Sequence, residues 1–341
     1  MVTALDGVRV LEVGTRLGVA SAGLALTALG ADVVQVVFAD RDVPTAESLY
    51  YDRGRLRVEA AADLADLAAC ADVIVTDLDE TPVLHGEQVL VTIRSLGASG
   101  PNAHYRMTDL TEWAAGGLAQ VTRRPHSDER YVPMLPPGRQ PQLLAGLAAA
   151  TAVIAGRRWA RREHRTVVAD VSVQEVVAAM LHGIYPNYVW NNIITGHPST
   201  ASTALGWLLP ASDGDVYIRT LDPRQWDALT AWVDDEAVAA LGVDPDSRLA
   251  NNDAIGLLLT PWSAARRRHE ILEEGQRRRI PVALPRSLDD VLAWQHLKAR
   301  GVWRITDDGA TVPRVPMLEP PAWRPVETAS AATIAAAWMS R

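Results

Sequence analysis

The stretch Val8-Arg9-Val10-Leu11-Glu12-Val13-Gly14 is a short β-type run closed by a glycine. Residues 18–29 (GVASAGLALTAL) follow with the small side chains of a helix that lies close to its neighbours. Gly30-Ala31-Asp32 then turns the chain, and Val33 to Val37 forms a second apolar strand. Strand, small-residue helix and strand make a βαβ unit, which requires the two strands to be parallel.

The pattern repeats outward from this unit. Residues 62–70 read as a helix and Asp72-Val73-Ile74-Val75 as a strand. Val89 to Ile93 is a further strand, residues 109–119 and 141–156 read as helices, and Val167 to Val171 is one more buried strand before a helix from about Gln174. Residues 184–200 (IYPNYVWNNIITGHPST) are aromatic and turn-rich, as a connector between domains would be. Beyond them, a hairpin turns at Ser212-Asp213-Gly214-Asp215, helices are expected around 223–233 and 261–279, and a second turn falls at Asp307-Asp308-Gly309.

Composition excludes several classes. The 341 residues are 48% hydrophobic and 22% charged, as in a chain with a sizeable core, and no tract is depleted enough in apolar residues for disorder. A net charge of −8 argues against a general nucleic-acid binder. Cys70 is the single cysteine, so no internal disulfide can form, which fits the cytoplasm. Asp6, Arg9 and Glu12 interrupt the apolar residues that a signal peptide would need. The longest apolar run, Leu143 to Gly156, is too short to cross a bilayer.

Simple site motifs are also missing. The eight histidines show no metal-ligand spacing, so no metal is expected. No G-x-S-x-G points to a serine hydrolase. Gly14, Gly18 and Gly23 do not make G-x-G-x-x-G, and the second strand ends at Val37 without the acidic residue that would hold a ribose. The basic run Arg266-Arg267-Arg268-His269 reads as an exposed helix face among Glu270, Glu273 and Glu274.

Nine segments, in order, resemble family III CoA-transferases of the CaiB/BaiF type. Leu5-Asp6-Gly7-Val8-Arg9-Val10-Leu11 is similar to the family's opening, and Leu29-Gly30-Ala31-Asp32-Val33-Val34 to its second strand. Tyr50-Tyr51-Asp52-Arg53-Gly54-Arg55, Ala71-Asp72-Val73-Ile74-Val75 and Ser95-Leu96-Gly97-Ala98-Ser99-Gly100-Pro101 follow. Thr108-Asp109-Leu110 with Gly116-Gly117-Leu118, Val168-Ala169-Asp170-Val171-Ser172, Ala211 to Val216, and Arg279-Ile280-Pro281-Val282-Ala283 with Gln295 to Gly301 complete the set.

The resemblance implies an α/β fold. A large Rossmann-like, parallel-sheet domain takes residues 1–190 and is completed by a C-terminal tail, 305–341. A connector and smaller α+β domain take 191–304. The resemblance also implies an interlocked dimer, as a homodimer or as a heterodimer with a homologous subunit. It implies a small-molecule substrate, with CoA bound as a substrate; charge and the lack of a long apolar run add the expectation of no nucleic acid and no membrane partner.

The family's chemistry runs through an aspartate that attacks the acyl thioester. That aspartate lies four residues before a glycine, and Gln142 stands in its place before Gly146. An amide is a poor nucleophile and cannot act as a general base near neutral pH. The nearest preceding acids in sequence are Asp128 and Glu129. In the racemase branch the second group is a histidine; Thr108 holds that position, with Asp109 after it and His104 four residues upstream.

The CoA contacts implied by the resemblance also depart from the pattern. Val19-Ala20 replaces a Gly-Pro, Val37 a glutamate, and Asp79 an arginine, leaving Arg53 and Arg55 as anion contacts or as ordinary arginines. Three functions follow. The chain is a divergent CoA-transferase-like enzyme acting on acyl-CoA thioesters, a non-catalytic subunit that pairs with an active homologue, or a CoA-independent enzyme or binder reusing the fold.

Overall fold

The computed structural model describes residues 3–38, 45–59, 64–125, 131–192, 206–306, 309–315 and 327–340. The chain divides into two units, Met1–Gly196 with Arg304–Arg341, and His197–Trp303.

The first unit begins with β1 (Arg9–Val13), α1 (Leu17–Ala28), β2 (Asp32–Val37), α2 (Thr45–Tyr51), β3 (Leu56–Glu59), α3 (Ala65–Cys70), β4 (Val73–Thr76) and β5 (Val89–Arg94). It continues through α4 (Asp109–Ala115), α5 (Leu118–Val121), the short pair β6 (Arg123–Pro125) and β7 (Tyr131–Pro133), and the long α6 (Gln140–Glu163). β8 (Val167–Ser172), α7 (Val173–Ala179), a 3-10 turn at Met180–Gly183 and α8 (Tyr185–Asn191) follow.

The second unit is built on the hairpin β9 (Gly206–Ala211) and β10 (Gly214–Arg219). Helices α9 (Pro223–Val233), α10 (Glu236–Leu241), α11 (Pro245–Ala250), α12 (Asn252–Ala264) and α13 (Arg268–Arg277) surround it. β11 (Val282–Ala283), α14 (Leu288–Ala293) and α15 (Gln295–Ala299) complete it. β12 (Trp303–Ile305) and β13 (Thr311–Pro313) pair, and β14 (Glu327–Thr328) and α16 (Ala331–Met339) end the chain.

Seven strands form the main sheet in the order β14-β3-β2-β1-β4-β5-β8. Every neighbouring pair in it is parallel. Side chains alternate across the strands, so each face carries its own apolar set. Val10, Val33, Val73 and Val91 point into one core with α1, α6 and α7. Leu11, Val34, Ile74 and Leu90 point into the other with α3 and α16, where Trp338 is 1% exposed. The C-terminal tail therefore covers one face of the sheet that the N-terminal half builds.

The helix α1 is almost entirely buried, and its small residues have a reason. A Cβ on Gly23 would stand 2.0 Å from Glu12 Oε2 and 3.0 Å from the Arg55 guanidinium. Beneath that helix, Glu12 of β1 and Gln35 of β2 face each other in register. Gln35 Nε2 donates to both Glu12 (2.9 Å) and Asp52 (3.0 Å).

Two expected helices are divided. Residues 109–119 break at Gly116-Gly117, where Gly117 takes φ 90°, and residues 261–279 contain the join between α12 and α13. The helix expected over 141–156 runs on to Glu163, because Val153, Gly156 and Ala160 keep its buried stripe going. Part of the expected connector is the helix α8; residues 193–200, and Asp307-Asp308 of the second turn, lie outside the described residues.

Candidate functional site

The strand order turns back between β1 and β4, so their carboxyl ends open a crevice where ligands bind in open α/β sheets. Here the crevice is occupied by the chain's own carboxylate. Asp77, just past β4, accepts the N–H of Thr15 (3.1 Å) and of Arg16 (2.7 Å) in the turn before α1. A Cβ on Gly14 would lie 2.9 Å from Asp77 Oδ1, so this close approach needs the glycine. Burial nevertheless pushes the Asp77 carboxyl above the ordinary carboxylate range, against the pull of those two N–H groups and the Arg16 charge.

Next to this crevice lies a buried polar cluster. Gln142 is in the first turn of α6 and is 1% exposed. Its Oε1 accepts the N–H of Gly18 (3.1 Å), and its Nε2 donates to Glu112 Oε2 (2.6 Å). Glu112 is fully buried on α4. Its other oxygen accepts from Arg16 (2.6 Å) and from the Ser95 hydroxyl (2.7 Å). Arg16 also donates to Ser95 Oγ (2.9 Å) and to the Met107 carbonyl (3.2 Å). A charge-assisted pair and five further hydrogen bonds thus join the starts of α1 and α6, the loop after β5 and α4 with the residue before its cap.

The carboxylate beside Gln142 among the described residues is therefore Glu112, whereas the nearest preceding acids in sequence are Asp128 and Glu129. It is 30 residues away in sequence but in contact in space, and neighbouring acids along the chain give no hint of it. The one available signal was helical spacing: Asp109 and Glu112 are three apart and share a face.

Asp109 is the first residue of α4 and half-buried. Its carboxyl lies near the head of α6, where the Gln142 N–H donates to the Arg139 carbonyl (3.1 Å). Its Oδ1 is buried and has no hydrogen-bond partner among the described residues. Burial, and then the Glu112 charge, push this carboxyl above the ordinary range, while Arg139, the Gln142 N–H and Arg16 pull the other way. Two carboxyls one turn apart therefore sit in unlike surroundings, one paired with arginine and one drawn toward its neutral form.

The structure thus brings Gln142 and Asp109 together. Thr108 caps the same end of α4 and is exposed, its N–H donating to Thr111 Oγ1 (2.8 Å). Val19 is 1% exposed and packed in the core one residue beyond Gly18. His104 is exposed and stacks edge-on with Tyr105 at 4.7 Å.

Arg53 and Arg55 lie elsewhere. Arg53 sits 4.2 Å over the Tyr50 ring, and its NH2 donates to the Pro313 carbonyl (2.9 Å); burial lowers its pKa. Arg55 is 1% exposed, ion-paired to Glu12, and donates to the Ala20 carbonyl (2.5 Å). Among the described residues no group of three or more metal-ligating side chains gathers.

Comparison with known proteins gives these features a family. The sequence pattern of CoA-transferase family III matches residues 59–332. The chain is 22% identical to the succinate–glutarate CoA-transferase of Agrobacterium fabrum, over 91% of this chain and 88% of that protein. It is 26% identical to the probable CoA-transferase Rv1866 of Mycobacterium tuberculosis, over 71% of this chain and 32% of that longer protein.

Among solved structures, a CAIB/BAIF family protein from Brucella suis superposes with a TM-score of 0.79 at 20% identity, covering 99% of this chain and 100% of the other. The hypothetical protein Rv3272 from Mycobacterium tuberculosis gives 0.79 at 18%, covering 98% and 99%. The fold is that of the CaiB/BaiF structures. The chain belongs to CoA-transferase family III.

Proposed function

We propose that this chain is a divergent family III CoA-transferase-like protein that binds an acyl-CoA thioester without forming an acyl-enzyme bond at the head of α6. The observation that carries this reading is Gln142. It stands where the family resemblance calls for the nucleophilic aspartate, it is buried, and both ends of its amide are engaged by Gly18 and Glu112. A carboxylate nucleophile must approach the thioester carbon with a free oxygen. Gln142 offers an amide that is already spent on holding two helices together.

Asp109 is the carboxyl left for the substrate. It is half-buried at the mouth of this cluster and drawn toward its protonated form, so it serves as a hydrogen-bond or proton donor more readily than as a nucleophile. Arg53 and Arg55 belong to the packing under α1 and at Tyr50 in this reading, not to a phosphate site. The setting is the cytoplasm, in keeping with a single cysteine and with no described helix long and apolar enough to cross a membrane.

The test is incubation with acetyl-CoA and longer acyl-CoAs, followed by calorimetry and by intact mass spectrometry with and without hydroxylamine. Binding with no hydroxylamine-sensitive adduct is expected. An acyl adduct on any carboxyl of the cluster, or no binding of any CoA thioester, overturns the proposal.

A second reading has its own support. In α8 none of the residues is buried, and Tyr185, Tyr188, Val189 and Trp190 are all exposed, Trp190 by 78%. An apolar, aromatic surface of this kind suits a protein interface. The chain would then pair with a second copy or with a homologous active subunit, in the interlocked manner the resemblance implies. Native mass spectrometry after co-expression with such a homologue decides it: a homodimer alone counts against the mixed assembly.

A further inference from the structure

Beside the polar cluster lies a half-open cavity of about 360 Å³, formed by the loop after β5, the last turn of α4 and the start of α7. Leu96, Pro101, Ala103, Met107 and Ala115 supply its apolar walls. None of the residues that line it carries a charge.

The cavity is joined to the cluster through its own walls. Leu96 follows Ser95, and the carbonyl of Met107 accepts from Arg16. Ala115 lies one helical turn beyond Glu112. Gln174, also in the lining, donates its backbone N–H to the Ser95 carbonyl (2.9 Å) and its Nε2 to the Ala115 carbonyl (3.0 Å).

The loop is held in shape. Asp170 of β8 accepts the Thr92 hydroxyl (3.0 Å) with one oxygen and the Ala98 N–H (2.7 Å) with the other. Gly97 and Gly100 take φ 83° and 101°, a backbone that other residues rarely adopt. A pocket on a pinned loop pays little ordering cost when a ligand enters.

We propose that this cavity receives the acyl group of a CoA thioester and selects uncharged chains over dicarboxylic ones. The proposal rests on the reading of the chain as an acyl-CoA binder and adds the class of acyl group. A methylene that leaves water for an apolar wall raises affinity about fourfold at full burial. A terminal carboxylate entering the same space gives up part of its hydration and meets no cation among the lining residues. Arg16, the guanidinium nearest through the Met107 carbonyl, is committed to Glu112 and Ser95. Arg106 and His104 are exposed on the same loop, and neither side chain lines the cavity.

The experiment is calorimetry of the full chain with acetyl-CoA, hexanoyl-CoA and glutaryl-CoA, the last two being close in length. Hexanoyl-CoA is expected to bind at least about tenfold tighter than either of the others. Ala115→Leu fills the cavity and is expected to lower hexanoyl-CoA affinity at least about fivefold while leaving acetyl-CoA unchanged. Ala103→Leu is the second filling variant should the first fail to fold.

Glutaryl-CoA binding as tightly as hexanoyl-CoA overturns the inference. So does hexanoyl-CoA binding no tighter than acetyl-CoA, or a folded filling variant that leaves hexanoyl-CoA affinity unchanged. In each case acetyl-CoA binding leaves the proposed function standing. Failure of all three ligands to bind overturns both.

Discussion

Gln142→Asp introduces the carboxylate that the family resemblance calls for, yet the structure predicts a less stable protein with no acyl transfer. The aspartate side chain is one methylene shorter and has no N–H. Glu112 Oε2 loses the donor now 2.6 Å away, and the Gly18 N–H loses the acceptor at 3.1 Å unless the shorter side chain can still reach it. A hydrogen bond to a charged group contributes about 1.5–3 kcal/mol, and a buried N–H left unsatisfied costs about 1–3 kcal/mol. Two buried carboxylates would then also face each other, which adds to the loss.

The expected destabilisation is about 3–5 kcal/mol, a large part of the ~5–15 kcal/mol typical of a domain. Urea unfolding followed by circular dichroism reads it as a fall in midpoint at unchanged slope. The deficit shrinks when acid adds a proton to the pair and restores a donor between the two carboxyls. Acyl transfer is read by exchange of labelled CoA into acetyl-CoA. A variant within about 0.5 kcal/mol of the parent refutes the bridging role of the amide, since ordinary surface changes fall in that range. A variant that exchanges CoA at a family-like rate refutes the functional reasoning, even if it is unstable.

Three further outcomes follow from other parts of the first unit. Asp109 has a raised pKa in the folded chain, from burial first and Glu112 second, so its contribution to stability is full below the ordinary carboxylate range and is lost as pH rises through the raised value. Asp109→Asn should therefore flatten the fall in urea midpoint on going from mildly acidic to neutral pH, and an unchanged profile counts against that assignment. Gly23→Ala should destabilise by about 1–3 kcal/mol despite alanine's better helix propensity, because the new methyl meets the buried Glu12–Arg55 pair; thermal unfolding reads the sign. Trp338→Ala should cost about 3–5 kcal/mol, since α16 covers one whole core of the sheet and this is its largest buried side chain; the readout is again the urea midpoint.

Much of this architecture is legible in the chain, and the exceptions have physical causes. The strands β1, β2, β4 and β5 are buried on both faces, so they read as largely apolar runs whatever their partners, and the edge strand β8 is read from Val167, Val168 and Val171 although Val168 and Asp170 are exposed. β3 (LRVE) is missed because it carries charge: Arg57 is engaged by Asp52 at 2.8 Å, a partner five residues back that no strand pattern reveals. The helix α16 hides in an alanine-rich tail whose burial depends on a sheet face formed some 300 residues earlier. The Gly116-Gly117 break was visible in the letters, but only the left-handed Gly117 turns it into a helix end.

The site follows the same division. That residue 142 is a glutamine at the start of a helix is read directly from the letters. What surrounds it is a matter of topology: Arg16 comes from the loop after β1, Ser95 from the loop after β5, and Glu112 from the middle of α4. No local pattern joins them.

These neighbours change what the glutamine means. Were residue 142 only a place where a carboxylate is missing, the first turn of α6 would be left with an open acceptor position and Glu112 with an unmet oxygen. The chain shows the opposite. The amide is the one neutral side chain of this length that accepts an N–H at one end and donates to a carboxylate at the other, and both bonds are made. A few residues away Asp77 fills the crevice where an open α/β sheet would hold a ligand's anion, with glycine at position 14 to admit it. Two places where negative charge would be expected to arrive with a substrate or act upon it are thus satisfied from within. The remaining open features, the half-buried Asp109 and the uncharged cavity beyond Met107, favour a neutral acyl group over an anionic one. On the proposed reading, Gln142 is built into its site from both ends, which is why a single change to aspartate at that position is expected to weaken the protein without giving acyl transfer.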